Sequence, residues 1–251
     1  MSTTMQTLAG KKALITGGAG GIGAACARAL SAQGAHVVVA DRDGNAARML
    51  ASEIGGEAWE VDLLDVAALE TLKLDVDILV NNAGIQRVNP IESFVPADFR
   101  LMLSLMVEVP FLLVRAALPH MYEQSYGRII NVSSIHGLRA SAFKAAYVTA
   151  KHGLEGFSKV TALEGGPHGV TSNCVNPGYV RTPLVESQIA DQAATHKIAP
   201  EDVLANVLLE KNVLKRLIEP TEVAGLVSFL ASPAAAMVTG ASYVMDGGWT
   251  T

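Results

Sequence analysis

Cysteine is scarce in this sequence. Cys26 and Cys174 are the two cysteines among 251 residues, and they lie far apart. This spacing gives neither a disulfide framework nor the paired cysteines of a zinc site. We therefore expect two small, buried or nearly buried side chains in a reducing compartment, and no metal centre.

Charge is also sparse and shows no basic excess. Charged residues make up 17% of the chain, the formal net charge is −5 at pH 7, and the basic residues are scattered. Nucleic-acid binding requires a clustered basic surface, so we expect no nucleic-acid partner. No apolar run approaches the roughly 20 residues of a membrane-spanning helix, and the N-terminus lacks a signal-peptide pattern. The composition predicts a soluble cytoplasmic protein without a membrane partner.

Hydrophobic residues are abundant, at 50% of the chain, and many fall in short β-branched runs. Six runs predict buried parallel strands: KKALITGG, AHVVVADR, DILVNNAG, GRIINVSS, TSNCVNPG and ASYVMDGG. The segments between them predict helices at 22–33, 44–54, 98–121, 146–165 and 221–231. This alternation indicates an α/β fold, a doubly wound parallel sheet with helices on both faces.

Residues 184–218 interrupt the alternation because they are polar, helix-prone and follow no strand. A segment of this length without a strand is typical of a lid. We expect a helical insertion that covers substrate at one end of the sheet.

The first predicted strand leads into TGGAGGIG, residues 16–23, which opens an Ala-rich helix. Glycines there allow a tight turn and a close approach of backbone N–H groups to a pyrophosphate at the helix N-terminus. The loop residues that we expect to bind a dinucleotide are Gly17, Gly21, Ile22 and Gly23.

Acidic residues end the next two strands. Asp41 lies about 20 residues beyond the glycines, where a carboxylate can bind ribose hydroxyls and repel a 2′-phosphate. This position favours NAD over NADP, although the adjacent Arg42 can stack on adenine or meet a phosphate. Asp62 closes the following strand. It is expected either to contact the edge of the adenine ring or to lie in a surface loop.

The fourth strand ends in NNAG, residues 81–84, whose small side chains leave room for a cofactor. Asn side chains can also tie neighbouring strand ends together. We therefore assign Asn81 and Gly84 to the cofactor site and regard the motif as partly structural.

Tyr147 and Lys151 are four residues apart on a predicted helix and share one face. A free phenol has a pKa of about 10, too high for a general base at neutral pH, but a nearby ammonium favours the phenolate. Lys151 and the positive nicotinamide of the oxidised cofactor can supply this stabilisation. Ser134 ends a neighbouring strand, where its hydroxyl can bind a substrate oxygen as the charge on that oxygen changes.

The motifs TGGAGGIG, NNAG, Ser134, YVTAK and NPGYVRT resemble, in order and spacing, those of the short-chain dehydrogenase/reductase family. The likeness covers essentially the whole chain, to DGGW. It implies a Rossmann-like single domain over residues 1–251, NAD(P)-dependent hydride transfer and a homotetramer. It also implies that Tyr147 is the acid/base, Lys151 the ribose-binding lysine and Ser134 the substrate-orienting hydroxyl. The residues that it assigns to the nicotinamide carboxamide are Pro177, Gly178, Val180 and Thr182.

Additional donors flank the catalytic pair. An ammonium at Lys144 and an imidazole at His136 suit a small carboxylate substrate, and Gln86 and Gln188 can add neutral donors. This set resembles that of the D-3-hydroxybutyrate dehydrogenases, which implies NAD-dependent interconversion of (R)-3-hydroxybutyrate and acetoacetate. Trp249 is predicted to reach a neighbouring subunit's pocket or to anchor an interface.

Two positions depart from the resemblance. Met106 stands where the family has an asparagine that supports a water in the proton relay, and a thioether is a poor acceptor. Tyr179 replaces a tryptophan that hydroxybutyrate enzymes often carry. The alternatives are therefore a reductase of another small hydroxy acid or sugar acid, and a non-catalytic nucleotide-binding regulatory protein.

Overall fold

The computed structural model describes residues 7–182, 185, 189, 193, 199–204 and 208–251. Seven strands lie in one sheet. They are β1 Lys12–Thr16, β2 His36–Asp41, β3 Glu57–Glu60, β4 Ile78–Asn81, β5 Gly127–Val132, β6 Val170–Pro177 and β7 Ser242–Met245. Their order is β3-β2-β1-β4-β5-β6-β7, and every pairing is parallel. The order reverses between β1 and β4, which confirms the predicted doubly wound sheet.

Helices connect the strands and cover both faces of the sheet. They are α1 Gly21–Ala32, α2 Gly44–Ile54, α3 Val66–Glu70, α4 Pro96–Leu103, α5 Val109–Glu123, α6 Ala145–Gly165, α7 Pro200–Val203 and α8 Pro220–Ala231. Four of the five predicted helices match observed ones to within one residue at each end. The fifth, 98–121, is not one regular α-helix. A π-helical turn, Ser104–Glu108, separates α4 from α5.

The two helical layers bury separate cores, because successive side chains of a strand point to opposite faces of the sheet. In β1, Ile15 packs in the core that includes α1 and α8 residues such as Leu30 and Val223. Leu14, its neighbour, packs in the opposite core with Leu113 of α5. Continuous apolar strands are therefore explained by burial on both faces.

The edge strand β3 was predicted only through its expected end at Asp62 and has no apolar run, and the short helix α3 was not predicted. β3 has the sequence EAWE, and of its residues Trp59 alone is partly covered. A strand with so little apolar burial has no periodic signal. The predicted strand end at Asp62 falls two residues beyond the end of β3.

One continuous helical segment, Pro96–Glu123, is long and apolar enough to cross a membrane by length and composition. Its mean hydropathy is 2.0 over 18 residues, so the expectation that no run reaches this length was wrong. In that window 56% of the residues are buried within the protein. Leu112, Leu113 and Met121 lie in the core against the sheet, as in a core helix.

Candidate active site

A cavity of about 540 Å³ lies at the carboxyl ends of the strands, beside the reversal of strand order. This is the place where open parallel sheets bind ligands. A second cavity of about 200 Å³ continues it toward β2, and Gly17, Arg42 and Gly84 line both. The combined cleft is elongated, with the glycine loop near its middle.

The glycine loop is held against β4 by side-chain hydrogen bonds. The Asn82 amide donates to the carbonyls of Thr16 and Gly17 at 2.9 and 3.0 Å. Gly17 has φ 58°, and a Cβ there would lie 3.1 Å from the Ala83 Cα. A Cβ at Gly23 would overlap the Gly17 carbonyl. The loop backbone therefore needs glycine, and it forms a cradle with room for a pyrophosphate at the start of α1.

Asp41, Arg42 and Asp62 line the second cavity, as expected for an adenosine site. Asp41 also has a structural task, since its carboxylate accepts from the backbone N–H groups of Ala19 and Asp43 at 3.0 and 3.1 Å. The carboxylate therefore fixes the glycine loop and still faces the cavity. Arg42 is exposed beside it.

Asn81 lies beneath the cavity instead of lining it. Its amide donates to Asn131 Oδ1 at 2.9 Å, which ties β4 to β5, and the side chain is buried. Gly84 lines both cavities, and a Cβ there would lie 3.3 Å from the Met106 Sδ. The two ends of the NNAG motif thus have different roles. Asn81 joins two strands, and Gly84 lines the cleft.

The three predicted catalytic residues line the larger cavity together. Ser134 follows β5, and its hydroxyl accepts from the backbone N–H of His136 at 3.2 Å. The Lys151 Nζ donates to the Val132 carbonyl at 2.8 Å and lies 5.6 Å from the Tyr147 ring centroid. Helix α6 and the end of β5 therefore bring these groups to one point.

Burial changes the pKa values of the Tyr147 phenol and the Lys151 ammonium. It raises the pKa of the Tyr147 phenol, and the Ser134 hydroxyl opposes the rise. It also lowers the pKa of Lys151 to about 8. The polypeptide alone therefore does not favour the phenolate.

The segment after β6 forms the wall opposite the glycine loop. Gly178 is anchored to β7, because its N–H donates to the Met245 carbonyl at 2.9 Å. The Thr182 methyl lies 3.2 Å from where a Cβ on Gly21 would be. The four residues that the resemblance assigns to this wall, Pro177, Gly178, Val180 and Thr182, all line the cavity, and so does Tyr179. Ile22 lines it from the loop side.

Lys144 and His136 form a hydrogen-bonded pair in the wall of the same cavity. The Lys144 Nζ lies 3.0 Å from the His136 Nε2. An ammonium has only donors, so Nε2 must accept, and the imidazole proton is therefore on Nδ1. Lys144 also lies 5.8 Å from the Tyr179 ring centroid, a cation–π distance.

The pair has a defined charge at neutral pH. Burial, followed by the Lys144 charge, lowers the pKa of His136 to about 4, so the imidazole is neutral. Burial lowers the pKa of Lys144 to about 8, so the ammonium predominates at pH 7. The cavity wall therefore carries one cation and one neutral donor.

Two buried donors of this wall have no hydrogen-bond partner within the described part of the chain. They are His136 Nδ1 and Gln86 Nε2, and both residues line the cavity. An unpaired buried donor is costly, so these two donors favour a ligand that can accept hydrogen bonds. The backbone of Arg139 also acts on the His136 ring, where it partly opposes the lowering of the pKa by burial. Gln188, the fourth predicted donor, lies outside the described residues.

The described part of the insertion forms a small apolar cluster above the cavity. Its buried members are Val185, Val203, Leu208, Leu209 and Leu217. Tyr179 packs against this cluster and lines the cavity. Among the described residues of the range 184–218, Val185 lines the cavity, and the lid role of this range stays a prediction.

Trp249 contacts the pocket of its own chain. Its ring lies 5.9 Å from the His136 ring, edge to face at 87°. Lys211 lies 5.3 Å from the Trp249 centroid. The expectation that Trp249 reaches a neighbouring subunit's pocket or anchors an interface stays a prediction.

Met106 occupies the π-helical turn and is buried with Ala146, Ala150 and Met102, beside Tyr147. The thioether packs in an apolar cluster and takes no part in a polar relay. Sequence reasoning did not find that the Val132 carbonyl accepts a hydrogen bond from Lys151, because a backbone carbonyl leaves no residue signal.

Known proteins resemble this chain over nearly its whole length. A family model described as enoyl-(acyl carrier protein) reductase matches residues 17–250. The D-beta-hydroxybutyrate dehydrogenase of Cupriavidus necator is 43% identical, covering 96% of this chain and 98% of that protein. A solved short chain dehydrogenase/reductase family protein superposes with TM-score 0.86 at 35% identity, over 98% of this chain and all of that one. A putative gluconate dehydrogenase from Agrobacterium tumefaciens gives TM-score 0.89 at 27% identity, over 99% of each chain.

Proposed function

The chain belongs to the short-chain dehydrogenase/reductase family, and we propose that it interconverts (R)-3-hydroxybutyrate and acetoacetate with NAD. The family depends on a nicotinamide cofactor, and the glycine cradle at Gly17 and Gly23 fits a dinucleotide pyrophosphate. When bound, the nicotinamide accepts hydride from the substrate carbon or returns it.

One observation carries the substrate proposal. The cavity that contains Tyr147 also contains the Lys144 ammonium and two buried donors, on Gln86 and His136, that have no hydrogen-bond partner among the described residues. This donor set suits a carboxylate, since charge-assisted hydrogen bonds are roughly twice as strong as neutral ones. The Cupriavidus relative, which is named for hydroxybutyrate, adds support to this assignment.

The side chains of the site would divide the work as follows. Lys144, Gln86 and His136 hold the carboxylate and so place the hydroxyl-bearing carbon at a fixed distance from it. The Ser134 hydroxyl binds the reacting oxygen, and the Tyr147 phenolate takes its proton during oxidation. Because the donors and Tyr147 line one cavity, a short acid is favoured over a long one.

Lys151 would bind the nicotinamide ribose and favour the phenolate of Tyr147 in the loaded enzyme. Its contact with the Val132 carbonyl fixes the ammonium at the end of β5. A proton taken by Tyr147 would leave by a route that does not use position 106, because Met106 is enclosed by apolar side chains.

A second candidate is oxidation of another small hydroxy acid or a sugar acid. The structural likeness to a putative gluconate dehydrogenase favours it, and the same donor set would hold a sugar acid's carboxylate. A non-catalytic regulatory role is disfavoured, because the three catalytic side chains share one cavity.

The decisive experiment is NADH formation with a panel of acids at pH 8. We expect (R)-3-hydroxybutyrate to give the highest kcat/KM, with the (S)-enantiomer, lactate, malate and gluconate well below it. Gluconate as the best substrate would establish the second candidate. No turnover of any acid, with NADH still bound, would favour the regulatory role.

We further propose a homotetramer. Phe111 of α5, and Val160 and Leu163 of α6, are 48%, 50% and 79% exposed on adjacent helices. Apolar side chains grouped on a surface favour association with a second copy. Light scattering at micromolar concentration is expected to give four times the chain mass, and a monomer would contradict this proposal.

A further inference from the structure

Glu155 is a buried carboxylate on the catalytic helix to which neither composition nor motif assigned a task. It lies four residues after Lys151 and eight after Tyr147, so the three share one face of α6. Glu155 is 5% exposed. No cation lies within ion-pair distance of it in the described part of the chain. A buried charge without an ion pair is expensive and calls for an explanation.

Both carboxylate oxygens accept hydrogen bonds that reach other elements of the site. Oε1 accepts from the Asn176 amide at 2.5 Å, and Oε2 accepts from the Ser242 hydroxyl at 2.6 Å. The same Asn176 nitrogen donates to the backbone carbonyl of Ser134 at 2.9 Å. Glu155 thereby connects α6 to β6 and β7, and through Asn176 it fixes the main chain of a catalytic residue.

Few acidic side chains lie near the Lys151 ammonium in the described part of the chain. The titratable groups around it are Tyr147 and Glu155 on α6, Cys174 on β6, and Lys144 and His136 in the cavity wall. Burial lowers the pKa of Lys151, while charges on Cys174 and Glu155 would oppose that shift. Burial also raises the pKa of the Cys174 thiol, so the thiol is neutral at neutral pH. Of the two acidic groups that act on Lys151 among the described residues, Glu155 is then the one that can balance its charge.

We propose that Glu155 is a positioning residue, which supplies the counter-charge for the Lys151 ammonium and, through Asn176, holds the main chain of Ser134 in place. The inference rests on the proposed role of Lys151 at the cofactor ribose. It requires no particular substrate, so it can be tested by cofactor binding alone.

The test is the pH dependence of NADH binding, followed by fluorescence, in wild type and Glu155→Gln. Glutamine keeps the volume and one acceptor for Asn176 but removes the charge. We expect wild-type affinity to weaken as the pH rises through about 8, where Lys151 loses its proton. In Glu155→Gln this midpoint is expected to fall by about one unit, since a nearby opposite charge typically moves a pKa by 1–3 units.

Two further variants separate charge from packing. Ser242→Ala removes one hydrogen bond to Glu155 and keeps the charge, so its midpoint is expected to match wild type. Glu155→Asp also keeps the charge and is expected to retain the wild-type midpoint. Glu155→Asp also tests the proposal if Glu155→Gln fails to fold. A Glu155→Asp midpoint about one unit below that of wild type would overturn the proposal, because the charge is still present.

Two results would overturn the inference in different ways. An unchanged midpoint in a folded Glu155→Gln protein would leave Glu155 with a packing role only. If NADH affinity depends on pH in the same way in wild type and in Lys151→Met, then Lys151 has no role in this pH dependence and the inference fails. Failure of the hydroxybutyrate assignment would appear only in the substrate panel, so the two failures are distinguishable.

Discussion

The two ends of the cleft differ in how their polar groups are paired. At the cofactor end, Asn82 and Asp41 use their side chains to hold the glycine loop. At the substrate end, Gln86 Nε2 and His136 Nδ1 are buried and lack partners among the described residues. The first end uses its side chains to hold its own loop, and the second presents two unpaired donors to a ligand.

This difference determines what a substitution is expected to reveal. A change at the cofactor end alters both binding and the loop geometry, because the same side chain does both. A change at the substrate end removes a group whose partner is the ligand itself. Variants there report on chemistry and specificity more directly, and they give the largest expected effects.

Loss of the Tyr147 phenol is expected to have the largest effect. Tyr147→Phe should lower kcat by about 10²–10⁴-fold, the usual contribution of general acid–base catalysis, with NADH binding retained. Steady-state kinetics and NADH titration check both parts. Tyr179→Phe is a matched control, because that phenol lies in the same cavity without a proposed proton role. Equal losses in the two variants would show that Tyr147 is not the proton carrier.

Removal of the Lys144 charge is expected to have the next largest effect. Lys144→Met keeps most of the stem and loses the ammonium. One charged hydrogen bond is typically worth about 1.5–3 kcal/mol, so kcat/KM for 3-hydroxybutyrate should fall by roughly 10–100-fold. The rate with a neutral 2-alkanol should change little.

The matched control for this variant is Lys159→Met, at an exposed position on the same helix. It is expected to keep wild-type kinetics for both substrates. If Lys144→Met lowers the acid and the alkanol rates equally, then Lys144 supports the fold or Tyr147, and the carboxylate assignment loses its physical basis.

The cofactor end is tested at Asp41. Asp41→Asn keeps one acceptor oxygen and removes the charge that would repel a 2′-phosphate. The ratio of kcat/KM for NAD to that for NADP is expected to fall by about tenfold, the effect of about 1.4 kcal/mol. A wild type that uses both cofactors equally would contradict the NAD assignment. An unaltered ratio in the variant would leave Asp41 with its loop-holding role alone.

The sequence predicted the fold well, and the glycine loop lies where its strand–turn–helix pattern indicated, because glycines and strand ends have fixed geometric roles there. Binding of the cofactor by the individual loop residues stays a prediction. Tyr147, Lys151 and Ser134 were also found to line one cavity, as their spacing predicted. The pairing of Lys144 with His136 could not be predicted, since it depends on how a 3₁₀ turn, Ile135–Gly137, meets the start of α6. Glu155 was missed because a glutamate in a helix ordinarily faces solvent.

The smallest expected effect is a pH dependence confined to the substrate end. Burial lowers the pKa of Lys144 to about 8, so the ammonium is lost as the pH rises through that value. Because kcat/KM reports groups of the free enzyme, the kcat/KM ratio of 3-hydroxybutyrate to a neutral 2-alkanol should fall by at most about tenfold between pH 7 and 9. Lys151 also has a pKa of about 8, but both substrates depend on it, so its titration cancels in the ratio. The substrate carboxylate stays ionised throughout, and His136 stays neutral because its pKa is about 4.

In Lys144→Met the kcat/KM ratio of 3-hydroxybutyrate to the alkanol should be lower than in wild type and should not change with pH. A wild-type ratio that stays constant to pH 9 would mean that Lys144 does not bind the carboxylate, and the distinction between the two ends would then rest on Gln86 and His136 alone.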